Sequence, residues 1–427
     1  MKKKLEKHVL NILSTLKLEE SFEVYDCRID ILPDWIKQIQ ITHEYLILVK
    51  DLANGEKLQK FLRREIYQHE NVCYWFDGDE FTPNSKQNII SFITPEPSNI
   101  NELTLPDWLD SFLFDELGAR YAPDYVRYVY NLDLSKDEVK TYLGTYFPRS
   151  YTESFCIFDN LFSNSKYNKI IQEKSELSIL DFGCGTGGEI VGLLTAISKY
   201  LPNINKVNIL AIDGNHDALR NSNKVIDRFK LQCPFSINYN VGPISIMDFS
   251  DVEIINEIVH DSFDFIISFK AICELISKQR IEGNAYKYVA EILAPKLTEN
   301  GLMIILDVTV KNEQINTYYP IYLNQGLRTF VNSSVEFKTL IPLSCFLHEN
   351  TCNQLCFTQR TFYVTHSRMN NDRSKVAYRI FGRNNFIETI APECSNSKFI
   401  VQQKNGTNIY CPYSGQAKEI NSYDINS

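Results

Sequence analysis

The chain has 427 residues, of which 44% are hydrophobic, 23% charged and 12% aromatic. That balance excludes a disordered or fibrous chain and allows two or three globular domains. A formal net charge of −9 argues against a global electrostatic grip on nucleic acid, and leaves only a local basic patch for that role.

Eleven cysteines, an odd number over a long chain, do not read as a secreted disulfide framework. They point to reduced thiols in a cytoplasmic setting, some of them candidates for binding metal. No apolar run reaches the ~18–20 residues of a membrane span. The basic start Met1–His8 lacks the apolar core and small-residue cleavage site of a secretory signal, and reads as a first helical turn. Neither an internal repeat nor a low-complexity tract is evident.

In chain order, Leu5, Val9, Leu10, Ile12, Leu13 and Leu16 follow helical spacing. Strand-like runs follow at 45–49, 71–76 and 88–94, with a helical pattern at 56–67. Residues 1–104 are therefore expected to form an α+β accessory domain that ends in a proline-rich linker, Pro95 to Pro106. Residues 105–170 form a tyrosine-rich helical lead-in. From 171 to 340 strands and helices alternate. Strands are expected at 177–182, 207–212, 235–241, 263–269 and 301–310, and helices at 188–200, 216–229 and 285–297. Such alternation predicts an α/β fold, a doubly wound parallel sheet whose ligand site lies at the carboxyl ends of the strands. Residues 341–427 form a cysteine-containing C-terminal extension that completes the fold.

The strongest local signal is Leu180-Asp181-Phe182-Gly183-Cys184-Gly185-Thr186-Gly187-Gly188, which follows a strand and opens a helix. Glycines let the backbone turn tightly and approach a ligand closely. Gly183, Gly185 and Gly188 also satisfy the dinucleotide spacing, and a purely structural turn is a third reading. Two acids favour a ligand that carries a cation and no pyrophosphate. Asp181 precedes the first glycine, and Asp213 closes the next strand, where a carboxylate can accept both hydroxyls of a ribose.

This arrangement resembles the class I methyltransferases that use S-adenosylmethionine (SAM), and implies their Rossmann-like sheet. The resemblance places Gly183, Gly185 and Gly187 at the methionine part of SAM, Asp213 at the ribose and Asp248 at the adenine. Ser268, in the loop region after the fourth strand, would be a further cofactor contact. That loop lacks the Asn/Asp-Pro-Pro-aromatic sequence of base amino-methyltransferases. Its polar residues Lys270, Cys273 and Glu274 are candidates for catalysis, Lys270 and Glu274 foremost. Methyl transfer is an in-line displacement in which positioning supplies much of the rate, so no acid or base is obligatory.

Cys345, Cys352 and Cys356 follow C-x6-C-x3-C with His348 between the first two, and Cys394 and Cys411 come later. Thiolates suit zinc or an iron–sulfur cluster, usually through four protein ligands, and ordinary buried thiols are the alternative. Together with Tyr142-Leu143, Pro148 and Tyr151 before the glycine turn, this order is similar to the Rsm22-like family of methyltransferase-like factors of the small ribosomal subunit. That resemblance implies an iron–sulfur site at Cys345, Cys352, Cys356 and Cys411, with Cys394 in reserve and zinc as the alternative metal. It also implies RNA or the small ribosomal subunit as partner. Between Arg360 and Arg383 six basic residues face one acid, Asp372, with aromatics interleaved. Such a stretch suits RNA phosphates and bases, or forms one solvated strand face.

Three functions follow: a SAM-dependent methyltransferase of unknown acceptor, a non-catalytic ribosome assembly factor on the same fold, or a small-molecule or protein methyltransferase with structural cysteines. No membrane partner is expected, and the oligomeric state is not legible.

Overall fold

The computed structural model describes residues 22–26, 39–41, 45–49, 67–69, 72–76, 81–83, 100–123, 130–312, 314–348, 359–391, 398–402, 408–410, 419–420 and 425. The chain divides into two units, Met1–Thr94 and Pro95–Ser427.

In the first unit, β1 (Phe22–Asp26), β2 (Ile39–Ile41), β3 (Tyr45–Val49), β4 (Tyr67–His69), β5 (Val72–Phe76) and β6 (Phe81–Pro83) make two small antiparallel sheets. One has the order β1-β3-β5-β4, and β2 pairs with β6 in the other. The two central strands of the larger sheet are the ones legible from their apolar runs. Tyr67, expected at the end of a helix, opens β4 and lies opposite Tyr74. The expected first helix, the strand 88–94 and residues 56–66 of the expected second helix lie outside the described residues.

The second unit is built on one large sheet. Its strands are β7 (Glu102–Thr104), β8 (Glu176–Phe182), β9 (Lys206–Asp213), β10 (Ser236–Pro243), β11 (Phe263–Phe269), β12 (Leu297–Val308), β15 (Phe337–Ile341), β16 (Arg360–His366) and β17 (Met369–Arg383). Two short strands, β13 (Lys311–Asn312) and β14 (Thr317–Tyr318), pair with each other beside it. The order is β10-β9-β8-β11-β12-β17-β16-β7, with β15 also on β17. Neighbours from β10 to β12 run parallel, and β17 is antiparallel to β12. The reversal of order between β8 and β11 is the topological switch point.

Side-chain alternation divides the core between the two faces of this sheet. Ile179, Phe265, Ile304 and Leu306 pack under the helices Lys136–Phe162, Gly188–Tyr200 and His216–Lys230. Leu180, Ile266, Met303 and Ile305 pack under Phe249–Ile258, Ala285–Leu293 and Tyr319–Ser333. Each fully buried Leu, Ile or Phe contributes about 1.5–3 kcal/mol of apolar transfer.

The helix Lys136–Phe162 begins with a capping box, Ser135 and Glu138. From Leu143 onward it is buried almost all round, between the helix Gly188–Tyr200 and strand β16. Two glycines permit the helix–helix approach. A Cβ at Gly188 would come within 2.6 Å of the Phe147 carbonyl oxygen, and one at Gly192 within 2.4 Å of that of Tyr151. Gly188, which also fits a dinucleotide spacing, is therefore a packing glycine.

Two differences from the expected elements have plain causes. The helix Ala285–Leu293 ends before the expected residue 297, because Pro295 lacks the N–H that another turn would need. β12 then starts at Leu297. The stretch expected to be a linker contains β7, whose neighbours exchange hydrogen bonds with β16: the Tyr363 N–H donates to Asn101 O and the Leu105 N–H to Thr365 O, both at 2.8 Å. Its partner lies some 260 positions away, so local sequence carries no sign of the pairing. Within residues 341–427, β16 and β17 enter the main sheet beside β12. No described helix is long and apolar enough to cross a membrane.

Candidate functional site

The glycine turn leaves β8 with three residues in the left-handed region: Gly183 (φ 82°), Gly185 (φ 48°) and Gly187 (φ 81°). Each faces a different element. A Cβ on Gly183 would lie 2.2 Å from that of Ala271, in the loop after β11. One on Gly185 would touch the Tyr142 ring at 3.5 Å, and one on Gly187 would strike Ser222 Oγ at 2.3 Å. The Gly183 and Cys184 N–H groups donate to Ile212 O at 2.8 and 3.1 Å, which ties the turn to the end of β9.

A cleft opens at the carboxyl ends of β8, β9 and β11, where a doubly wound sheet places its ligands. Gly183, Asp213, Lys270 and Glu274 line it, and Arg280 lies on its wall. Leu132, Ile244 and Ile246 add apolar surface, and Asn131 and Tyr142 enter from the segment before β8. Of the three turn glycines, Gly183 lines the cleft, while Gly185 and Gly187 shape the turn behind it.

Asp213 is buried and held by four hydrogen bonds. The Asn215 N–H donates to Oδ1 at 2.8 Å and the Gly185 N–H to Oδ2 at 2.8 Å. The Asn131 amide donates to both oxygens, at 2.9 and 3.1 Å. Burial raises the Asp213 pKa, and the backbone N–H groups and the Asn131 amide pull against that rise.

Asp181 is placed differently from the expectation that its charge faces a ligand cation. It is fully buried behind the cleft, and no donor among the described residues reaches its carboxylate oxygens. Burial drives its pKa well above the usual carboxylate range, and Glu189 and Asp213 add to the shift. Glu189 is itself pushed up to about 8, mainly by burial. Burial thus disfavours the charged form of Asp181, and its side chain does not line the cleft.

Lys270 and Glu274 both reach the cleft wall. Lys270 sits in the left-handed region (φ 59°), a strained conformation for a side chain of this kind. Its Nζ lies 2.6 Å from Glu153 Oε2, a carboxylate buried in the long helix, and Ser374 hydrogen-bonds the other oxygen. Cys273 is structural: its N–H donates to the buried Asp307 at 2.9 Å, and its thiol contacts Lys270 O. Glu274 accepts the Asn131 N–H on both oxygens, at 3.0 and 3.1 Å.

Burial pushes Glu274 up from 4.5 to about 8, against the Asn131 N–H, which lowers it. The folded chain thus binds this proton more tightly than the unfolded chain. The associated stability is complete below about 4.5 and drains away as pH rises through about 8. Glu274→Gln, neutral at every pH, should flatten the fall in urea midpoint between pH 5 and 9. Some slope remains, because Glu189 titrates in the same range. An unchanged slope would remove Glu274 as its source.

Other expected site residues lie elsewhere. Ser268 is buried within β11, is not on the cleft, and its hydroxyl has no partner among the described residues. Asp248 is exposed and caps the helix Phe249–Ile258, where its carboxylate accepts the Ser250 N–H at 2.8 Å. An N-cap of the helix after the third strand has the same local sequence as an adenine contact, and only the tertiary position separates them.

Of the expected metal ligands, Cys352, Cys356 and Cys411 lie outside the described residues, as does Cys394. Cys345 stands on the helix Leu343–His348, and its sulfur accepts from the buried Arg379 at 2.9 Å. Among the described residues no group of three His, Cys, Asp or Glu side chains could hold a metal.

The basic stretch does not form one surface. Arg379 is buried against Asn324 and Thr339, and Arg360 donates to Tyr378 Oη and Ile100 O. Arg383 turns to Glu336 and Glu299, and Asp372 pairs with Arg149 at 2.7 Å. Only Arg368, Arg373 and Lys375 of the six are exposed. Strand alternation sends neighbouring side chains to opposite faces, so a linear charge count overstates the patch.

Asn131, Glu153 and Arg280 were not legible as site residues. Tyr142 belongs to the pre-strand pattern quoted above but carried no expected contact. None of the four has a spacing relation to the glycine turn, and the fold brings them there from distant segments.

No protein-family model matches the chain, and no curated protein matches it. Among solved structures it is similar in part to a SAM-dependent methyltransferase from Aquifex aeolicus, at 12% identity over 58% of this chain and 99% of that one, with a TM-score of 0.31. An rRNA methylase from Streptococcus thermophilus matches at 8% identity over 54% of this chain and 94% of that one, TM-score 0.29. A precorrin-6y C5,15-methyltransferase from Geobacter metallireducens matches at 11% identity over 51% and 87%, TM-score 0.28.

Proposed function

We propose that the cleft binds S-adenosylmethionine and that the chain is a SAM-dependent methyltransferase. One observation carries this reading: Asp213 at the end of β9 and Gly183 of the turn after β8 meet on a single cleft at the switch point of the sheet. The donor set suits the cofactor. Asp213 offers a carboxylate to a ribose diol, Gly183 lets backbone approach the ligand, and Leu132, Ile244 and Ile246 offer apolar walls to a planar base. When bound, SAM supplies an electrophilic methyl group on a sulfonium.

The chain's own part is to orient the two reactants and exclude water. On the wall, the Lys270 ammonium, fixed by Glu153, orients an acceptor, and the ionised fraction of Glu274, with its pKa raised to about 8, receives the acceptor's proton. RNA is the acceptor class to try first, on the sequence resemblance and the exposed Arg368, Arg373 and Lys375.

Isothermal titration of the full chain with SAM tests the cofactor. Asp213→Ala should weaken binding about tenfold to a hundredfold, the loss of a charged hydrogen-bond acceptor. Absence of SAM binding by the unmodified chain would end this reading. Incubation with methyl-labelled SAM and separate RNA, protein and metabolite pools identifies the acceptor. Binding without transfer to any pool would favour the non-catalytic factor.

A further inference from the structure

The four hydrogen bonds on Asp213 compete with the ribose diol proposed for this site. A carboxylate has about four acceptor positions. Backbone N–H groups of Gly185 and Asn215 hold one on each oxygen, and the Asn131 amide spans the other side of both. Two ribose hydroxyls have no place on Asp213 while that amide stays. The backbone donors are fixed by the glycine turn and by the start of the helix His216–Lys230. The Asn131 side chain is the donor that can leave.

The short turn Asn131–Asp133 is held by contacts of unequal strength. Its inner ties are the Asn131 N–H on Glu274 and the Asn215 amide donating to Asn131 O at 2.6 Å. Its outer clasp is Asp133 with Lys278 at 2.6 Å, both partly exposed. The Asn131 amide oxygen is buried and finds no donor among the described residues. A plug that leaves one of its own polar atoms unsatisfied is held less tightly than its contacts on Asp213 suggest.

We propose that Asn131 is a gate for the nucleoside diol: its amide occupies the diol position on Asp213, and a diol reaches Asp213 only when the Asn131–Asp133 turn withdraws. The gate rests on the nucleoside-binding reading above. It sets selectivity, because a ligand gains Asp213 only by displacing the amide with two hydroxyls of its own.

The test is calorimetric titration of the full chain with SAM, adenosine and 2′,3′-dideoxyadenosine. Asn131→Ala should tighten SAM and adenosine about tenfold, one hydrogen-bonded competitor removed, and leave the dideoxy compound unchanged. Asp133→Ala, which opens only the exposed clasp, should shift the diol ligands the same way by less, and it keeps the test usable if Asn131→Ala fails to fold. Weaker or unchanged diol binding in both variants, or equal gains for all three ligands, would overturn the gate alone. If no form binds any nucleoside while all melt cooperatively, the nucleoside reading falls and the gate falls with it.

Discussion

Glu153→Ala is expected to lower the unfolding free energy by about 3–5 kcal/mol, the usual cost of breaking a buried ion pair from one side. Glu153 is fully buried on the long helix and its partner Lys270 is only 13% exposed. Removing the carboxylate strands the ammonium in a site that water reaches poorly, and Ser374 loses its acceptor. Chemical denaturation measures the loss. Lys270→Met in the same chain should recover much of it, because it removes the stranded charge and keeps the aliphatic volume. A loss below about 1 kcal/mol for Glu153→Ala would mean that the pair is compensated elsewhere and does not anchor Lys270. The pair joins the helix before β8 to the loop after β11, so it also fixes one wall of the cleft. The melt should therefore be accompanied by weaker SAM binding, which the double variant does not restore.

Gly183→Ala should abolish measurable SAM binding and destabilise the chain. The left-handed φ of 82° costs a non-glycine residue about 1–3 kcal/mol. The added Cβ also falls 2.2 Å from that of Ala271, and such overpacking costs a further ~1–3 kcal/mol when backbone must shift. Gly118→Ala provides the control. Gly118 has a comparable φ of 69° and nothing within 4 Å of its would-be Cβ, so it should show the backbone cost alone. Equal losses at the two positions would show that the approach of the β11 loop to the glycine turn is looser than the structure places it.

The parts of the molecule that declare themselves locally were readable in advance. The strand β11 and the helix Gly188–Tyr200 fall at their expected bounds, because a strand-length segment with five apolar residues in seven and a glycine turn leave few alternatives. Asp213 and Gly183 could be singled out because a motif fixes their distance from a strand end, and strand ends converge on the switch point. Lys270 and Glu274 follow from the same logic one crossover later.

What escaped depends on contacts without a local signature. Asn131 reaches Asp213 across 82 positions and Glu153 reaches Lys270 across more than a hundred. β7 gains its strand character only from β16. Asp181 reads as a charge toward a ligand, yet it is buried beside Glu189 behind the cleft, where its charged form is disfavoured. The basic run after residue 359 reads as a patch, yet alternation and buried partners consume half of it. Sequence by itself determined the strands β8 to β12, three of the helices between them and the residues at those strand ends, because period and turn chemistry are local. The tertiary structure decided which polar groups are charged, which are occupied and which face the cleft, because burial and pairing depend on neighbours that the chain supplies from far away.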